Sequence, residues 1–137
     1  MYSLSIIIPS KATVNFAIRN LETGTIDLCF DDSMFVNFDD YGPMGIDRIG
    51  GEKFDCKIAL VGHATQTREE GTVVCKIVDA NAYVGKRRMI KVSVREDEYY
   101  VNPKDLEGIS YDDYFCFDCI RKDLIQVDDL IREDYLN

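Results

Sequence analysis

Apolar and polar residues alternate along most of this chain, and no long stretch has the spacing of an amphipathic helix. In ATVNFAIRN, residues 12–20, every second side chain can face a core, which is the pattern of a half-buried strand. The alternation returns in FDCKIALVG (54–62), TVVCKIVDA (72–80) and MIKVSV (89–94), with turn segments such as LETGT, TREEG and GKRR near them. A period of two predicts β-sheet rather than helices.

About eight short strands with turn signals between them indicate a mainly β fold, a small antiparallel barrel or sandwich with at most one or two short helices. The succession of strands from residue 52 to residue 94 also fits an OB-like fold. In the second strand of the first hairpin, Ile26, Leu28 and Phe30 share one face. The last stretch is predicted to form a closing strand pair, separated near Lys122 and Asp123, with a helix as the alternative. A chain of 137 residues is expected to be one domain, 1–137.

The cysteine content and the N-terminal sequence predict a cytoplasmic location. Five cysteines are an odd number, which argues against a disulfide framework and favours a reducing compartment. No segment approaches the roughly 18 apolar residues that a membrane-spanning helix needs, and the start lacks the basic leader of a signal peptide.

The charge of the chain is strongly uneven. It contains 16 Lys and Arg against 25 Asp and Glu, a net charge of −9. Residues 1–95 are neutral, with 12 of each sign, so residues 96–137 carry the whole imbalance, with 4 basic and 13 acidic side chains. An acidic surface repels nucleic acids and anionic membranes and attracts basic proteins, although the acids could also serve solubility alone.

The segment FDDSMFVNFDDYG, residues 30–42, repeats Phe-Asp-Asp and could supply oxygen ligands for a divalent metal. It lacks the alternate acids, central glycine and final glutamate of a calcium-binding loop. Phe35 and Phe38 are instead expected to anchor a capped turn to the core. We therefore predict no metal and no cofactor.

No arrangement of residues indicates catalysis, and we predict that the chain is not an enzyme. Cys116 and Cys119 form the only Cys-x-x-Cys pair, which lies in a strand-like segment, and a structural role is favoured over a redox or zinc role. The single histidine, His63, follows a strand without a nearby nucleophile. No phosphate-binding glycine loop is present.

A basic hairpin supports an alternative function. Lys86, Arg87, Arg88 and Lys91 fall within six positions, and nearby tyrosines could stack on bases. These residues would be the binding site of an OB-like nucleic-acid or oligosaccharide binder. The net negative charge opposes nucleic-acid binding, so this remains the second hypothesis.

The favoured function is that of a small binding protein that neutralises a basic protein partner, such as a toxin or a nuclease, in the manner of an immunity protein or inhibitor. Carboxylates would steer the association, and aromatic residues beside them would form the contact. The Asp-Asp-Tyr sequence occurs twice, which fits either a shared role or a chance repeat. The predicted partner-binding residues are Phe38, Asp39, Asp40, Tyr41, Asp112, Asp113 and Tyr114. The identity of the partner, the oligomeric state and the relative orientation of the two acidic regions are left open.

Overall fold

The computed structural model describes residues 2–9, 14–31 and 53–137, which form ten β-strands and two short 3-10 helices. The strands are β1 (Tyr2–Pro9), β2 (Val14–Asn20), β3 (Ile26–Asp31), β4 (Lys53–Phe54), β5 (Cys56–Thr65), β6 (Val73–Val84), β7 (Arg87–Val94), β8 (Asp97–Val101), β9 (Tyr114–Val127) and β10 (Leu130–Ile131). The 3-10 helices cover Pro103–Leu106 and Glu133–Tyr135. β4 and β10 have two residues each, so eight strands have five or more. The predicted mainly β fold is confirmed. Across these three ranges, no helix is long and apolar enough to cross a membrane.

Five strands pair in a closed ring. Their order is β9–β5–β8–β7–β6, and β6 pairs again with β9. Four of the five pairings are antiparallel, and β5 runs parallel to β8. Closure of this kind is one way in which small β domains avoid exposed sheet edges. The predicted antiparallel pairing therefore holds for most of the ring, while the finer expectation of an OB-like fold stays a prediction.

β9 pairs with four other strands, β3, β5, β6 and β10. It pairs with β5 along most of its length, with β6 near its beginning and with β10 near its end. The prediction of two short strands separated near Lys122 and Asp123 is wrong, because one strand of 14 residues runs through both positions. The two charged side chains fit inside the sheet because each has a partner: Lys122 pairs with Asp27, and Asp123 accepts hydrogen bonds from Arg132 and Arg121.

The N-terminal strands form an antiparallel sheet in the order β1–β2–β3, which joins the ring where β3 lies parallel to β9. Ile26 and Leu28 share one face of β3 as expected, but this face is exposed, and Asp27 and Cys29 are the buried residues. An aspartate can occupy the core face because its hydrogen bonds are made there, one of them with Tyr99 at 2.6 Å.

Two clusters of buried side chains lie on opposite faces of the sheet. Leu124 and Ile125 are neighbours on β9 and belong to different clusters, since successive residues of a strand point to opposite faces. The larger cluster includes Phe54, Ile58, Leu60, Val92, Val101 and Phe117. The smaller one is covered by Tyr135 of the second 3-10 helix. Each fully buried large apolar side chain contributes about 1.5–3 kcal/mol, so the C-terminal segment is part of the folded domain.

Candidate functional site

The structure describes three of the seven predicted partner-binding residues. Asp112 and Asp113 lie in the connection that leads from the first 3-10 helix to β9, and Tyr114 is the first residue of β9. The other four, Phe38, Asp39, Asp40 and Tyr41, lie outside the described residues. Whether the two Asp-Asp-Tyr sequences share a face therefore stays open.

Residues 110–114, here called the acidic loop, are held at both ends by hydrogen bonds to other segments, the bend after β5 and strand β6. The Ser110 amide donates to Oε1 of Gln66 at 3.1 Å, and Nε2 of Gln66 donates to the Ser110 carbonyl at 3.1 Å. At the other end, the Ile77 amide of β6 donates to the Asp113 carbonyl at 2.8 Å. The backbone of the loop is thus held in one position by hydrogen bonds from two other segments.

The side chains of the acidic loop face solvent. Asp112 and Asp113 are exposed, and neither has an ion-pair partner among the residues that the structure describes. Tyr114 is 55% exposed, and the Tyr111 ring packs edge-on against Phe115 with centroids 5.8 Å apart. Exposed tyrosines beside unpaired carboxylates on a fixed backbone resemble the composition of a protein-binding surface.

Two acids of the C-terminal third are buried and unavailable to a partner. Asp97 accepts hydrogen bonds from Oγ1 of Thr23 at 2.6 Å and Oγ1 of Thr25 at 2.7 Å, which attaches the β2–β3 turn to β8. Asp123 is 1% exposed and accepts from Nη1 of Arg132 at 3.2 Å. These carboxylates hold the fold together, since removing one partner of a buried pair leaves the other uncompensated.

Further acids of this third are occupied by intramolecular cations. The Arg132 guanidinium donates a hydrogen bond to Asp134 and thereby lowers the pKa of that carboxyl. The ion pairs are Glu98 with Lys91 at 3.5 Å and Asp134 with Arg132 at 2.6 Å, and Oδ2 of Asp118 lies 3.8 Å from Nε2 of His63. Intramolecular contacts therefore occupy part of the acidic surface, and Asp112 and Asp113 are two adjacent carboxylates that have no ion pair within the described residues.

In the basic hairpin (Lys86, Arg87, Arg88 and Lys91), the first two residues contact the C-terminal segment. Nη2 of Arg87 donates to the Asp134 carbonyl at 3.0 Å, and its guanidinium lies 4.8 Å from the centroid of the Tyr135 ring. The Lys86 amide donates to the Tyr135 carbonyl at 2.8 Å, while its side chain is exposed. The Arg87 side chain is thus committed to a contact within the chain.

The remaining residues of the basic hairpin are also bonded. Nη1 of Arg88 donates to the Ala80 carbonyl at 2.9 Å, and Lys91 pairs with Glu98. Three of the four predicted nucleic-acid-binding side chains therefore have partners inside the protein. An interaction with nucleic acid or oligosaccharide would have to displace or share these contacts.

A second basic region, which the sequence analysis missed, lines a pocket of about 500 Å³. We call it the basic pocket; its polar lining comprises Arg68, Thr72, Lys76, Ser93, Arg95 and Tyr114. The register of the sheet pairs Lys76 with Ser93 on β7 and with Tyr114 on β9. The inward alternation of Cys75 and Ile77 could have placed Lys76 on the outer face, but only the strand pairing shows what lies beside it.

The cysteines of the Cys-x-x-Cys pair are half-buried rather than fully buried. Burial raises the pKa of the thiol of Cys119, the second cysteine of this pair. It also raises the pKa of Cys75, on strand β6, to about 12. Cys75 and Cys119 are therefore protonated near neutral pH. Within the ranges the structure describes, no group of three or more His, Cys, Asp or Glu side chains is placed to hold a metal ion. Asp32, Asp39 and Asp40 of the doubled Phe-Asp-Asp segment lie outside those ranges.

Comparison with known proteins gives no relative: no family model matches the chain, and neither a curated protein nor a solved structure matches it.

Proposed function

We propose that this chain is a small, non-catalytic binding protein that recognises a basic protein partner through the acidic loop. The observation that supports this most directly is that the loop combines exposed carboxylates with a backbone that is fixed by hydrogen bonds. Asp112 and Asp113 are adjacent, exposed and without an ion-pair partner in the described ranges, while hydrogen bonds from Gln66 and Ile77 hold their backbone in place.

A fixed acidic loop favours binding because little conformational entropy is lost when a partner docks. The carboxylates accelerate encounter with a basic surface, an effect that acts over roughly the 8 Å Debye length at physiological salt. Tyr111 and Tyr114 add apolar contact area with hydroxyls that remain hydrogen-bonding groups. The combination provides both attraction and a defined contact.

The finer proposal is that the partner is a toxin or nuclease and that the chain acts as its immunity protein or inhibitor in the cytoplasm. Adjacent carboxylates can occupy a cationic cleft that would otherwise hold phosphates. The second Asp-Asp-Tyr sequence, with Phe38 before it, is proposed as an additional contact. The five cysteines are free thiols, which supports a reducing compartment.

The test is a capture experiment from the native cell followed by calorimetry with the purified partner. Wild-type protein is expected to retain a partner of high isoelectric point, and the complex is expected to weaken as salt increases. The double variant Asp112→Asn/Asp113→Asn is expected to weaken the affinity by more than tenfold, because it removes both unpaired charges at the centre of the proposed contact.

The matched control is Asp129→Asn/Glu133→Gln, which lowers the net negative charge by the same amount at two exposed positions away from the acidic loop. This control is expected to retain the partner. The proposal fails if the two double variants weaken binding equally, since only net charge would then matter. It also fails if neither variant changes the affinity.

The alternative function, OB-like binding of nucleic acid or oligosaccharide through Lys86, Arg87, Arg88 and Lys91, is less well supported. Arg87, Arg88 and Lys91 each have an intramolecular partner. Replacing Lys86, Arg87 and Arg88 with alanine separates the two proposals: loss of oligonucleotide binding with retention of the protein partner would add the second function without removing the first.

A further inference from the structure

The basic pocket combines three cations from three separate segments of the chain. Arg68 precedes β6, Lys76 lies on β6, and Arg95 lies in the turn between β7 and β8. Among the described residues that line the pocket, none is a carboxylate. A pocket lined by three cations and no carboxylate is unexpected in a protein of net charge −9, because the lining has the opposite sign to the whole chain.

None of these three side chains is bonded within the described part of the chain. No hydrogen bond, ion pair or ring contact involves the side chain of Arg68, Lys76 or Arg95 there. Grouping unpaired like charges is electrostatically unfavourable, and a bound anion would remove that cost. The pocket is therefore complementary to a negative group.

Arg95 adopts a backbone conformation that favours glycine. Its φ is 58°, and it occupies a two-residue turn between Val94 and Asp97, which are paired across the hairpin. Glycine or asparagine would fit this position with less strain. A two-residue hairpin turn calls for a positive φ at its first position, so the turn fixes the backbone from which the Arg95 side chain lines the pocket.

The uncharged residues that line the pocket indicate which chemical groups a ligand would have besides its anionic group. The pairing of Lys76 with Ser93 and Tyr114 places these three side chains together on one face of the sheet. Tyr114 presents an exposed ring, and valine side chains form an apolar part of the lining. A volume of about 500 Å³ lies in the range of small-molecule sites and exceeds what an inorganic anion alone would fill.

From these observations we propose that the basic pocket binds a small phosphorylated molecule that carries a flat ring, of mononucleotide size. Arg68, Lys76 and Arg95 take the phosphate, since arginine offers paired donors that match its oxygens. Tyr114 stacks against the ring, and the Ser93 hydroxyl adds a hydrogen bond. Distant acids are largely screened at physiological salt, since the Debye length is about 8 Å, whereas Glu69, Glu96 and Asp113 adjoin lining residues in the sequence and partly offset the attraction.

This inference does not rest on the proposed protein partner. Tyr114 belongs to both surfaces, but the phosphate site uses Arg68, Lys76 and Arg95, whereas the partner site uses Asp112 and Asp113. Substitutions in one set leave the charges of the other unchanged. The two proposals can therefore fail separately.

The experiment is isothermal titration calorimetry of the full chain at low salt with adenosine, guanosine and uridine 5′-monophosphates. At least one of these is expected to bind, and adenosine, ribose 5-phosphate and inorganic phosphate serve as partial ligands. Each partial ligand is expected to bind at least tenfold more weakly than the best monophosphate. Arg68→Ala and Lys76→Ala are each expected to reduce its affinity by about tenfold.

Three variants separate loss of the site from loss of the fold. Lys53→Ala removes an exposed cation that does not line the pocket and is expected to leave the affinity unchanged. Tyr114→Phe is expected to retain stacking, whereas Tyr114→Ala weakens binding at least fivefold. Arg95→Gly relieves the backbone strain, so it is expected to raise the melting temperature while lowering the affinity.

The proposal is overturned if none of the three monophosphates binds to the wild-type chain at millimolar concentration. It is also overturned if binding persists unchanged in Arg68→Ala and Lys76→Ala. If ribose 5-phosphate binds as tightly as the best nucleotide, the stacking role of Tyr114 is wrong.

Discussion

The basic hairpin and the basic pocket each gather three or four cations, but their side chains are bonded in different ways. In the hairpin, Arg87 and Arg88 donate to carbonyl groups of other segments, and Lys91 pairs with Glu98. In the pocket, Arg68 and Lys76 have no such contacts within the described residues. The first region uses its charge to hold the chain together, and the second leaves its charge available.

This difference shows that cations close together in a sequence need not be available to a ligand, because their side chains can already be bonded within the protein. Cations close together in a hairpin are conspicuous in the sequence, yet here Arg87 attaches the C-terminal segment through Asp134 and Tyr135, while Arg88 and Lys91 bond to neighbouring strands. Cations that the fold assembles from separate segments are inconspicuous in the sequence. We therefore expect substitutions in the hairpin to affect stability and substitutions in the pocket to affect binding.

The largest effect is expected from Gly85→Ala at the tip of the basic hairpin. Gly85 has a φ of +61°, and a Cβ added there would lie 2.4 Å from the Tyr135 carbonyl oxygen. Strain and steric overlap together are expected to lower the free energy of unfolding by about 3 kcal/mol, as measured by urea denaturation.

Gly71→Ala, next to the basic pocket, is the matched control for that substitution. Its φ of +84° imposes similar strain, but nothing lies within 4 Å of an added Cβ. We expect a loss of only about 1 kcal/mol, the usual cost of a left-handed non-glycine residue. Equal losses at the two glycines would contradict the packing of the hairpin against Tyr135.

A smaller effect is expected from Arg87→Ala. The substitution removes the hydrogen bond to the Asp134 carbonyl and the contact with the Tyr135 ring, so unfolding should become easier by about 1 kcal/mol. Arg68→Ala removes a side chain that has no hydrogen bond, ion pair or ring contact within the described ranges, and it is expected to change stability by less than about 0.5 kcal/mol. Parallel urea titrations of both variants measure the difference, and a reversed order would show that the two regions have been assigned the wrong roles.

The smallest expected effect is a pH dependence that involves Asp134. Its pKa is lowered below the model-compound value of 3.8 by the hydrogen bond from Arg132, so its stabilising effect is complete above that value. The effect is lost as pH falls through the lower pKa of the folded state. Because 47% of the side chain is exposed, solvent screens the pair, and we expect only about 0.5 kcal/mol.

Urea titrations of Asp134→Asn between pH 6 and pH 2.5 would measure that contribution. The variant is expected to be less stable than the wild type at pH 6, and the gap should close at the acidic end. Asp129→Asn, which removes an equal charge outside the ion pair, corrects for the change in net charge. A gap that widens on acidification would have the wrong sign for a carboxylate with a lowered pKa.

Much of the fold could be predicted from alternation, because burial on one face imposes it on the sequence. The segments containing Ile58, Val92 and Cys75 form strands with those residues inside, as their spacing indicates. The exposed face of β3 and the unbroken course of β9 could not be predicted in this way. Both depend on buried aspartates that need partners. Tyr99 and Lys122, which are distant in sequence, reach Asp27. Asp123 instead pairs with Arg121 and Arg132, which are near it in sequence but are not marked as its partners by any sequence pattern.

The candidate sites were predictable to a lesser degree. The repeated Asp-Asp-Tyr predicted Asp112 and Asp113 as partner-binding residues, and that role stays a prediction. The structure adds that their loop is fixed and that neither has an ion pair among the described residues. The sequence does not indicate the basic pocket, since Lys76 and Arg95 become neighbours only through the register of the sheet. Strand register depends on contacts between distant segments, which a single sequence does not specify.

The convergence of the sheet on β9 also determines when the chain can fold during synthesis. β3, β5 and β6 are synthesised before β9, so each of them has an unpaired edge until β9 has also left the ribosome. Pairing over such sequence distances is slow, and strands that wait with open edges are prone to aggregation. We expect nascent chains that end before Tyr114 to depend on chaperones, and release of β9 to be the step after which the chain becomes resistant to proteases.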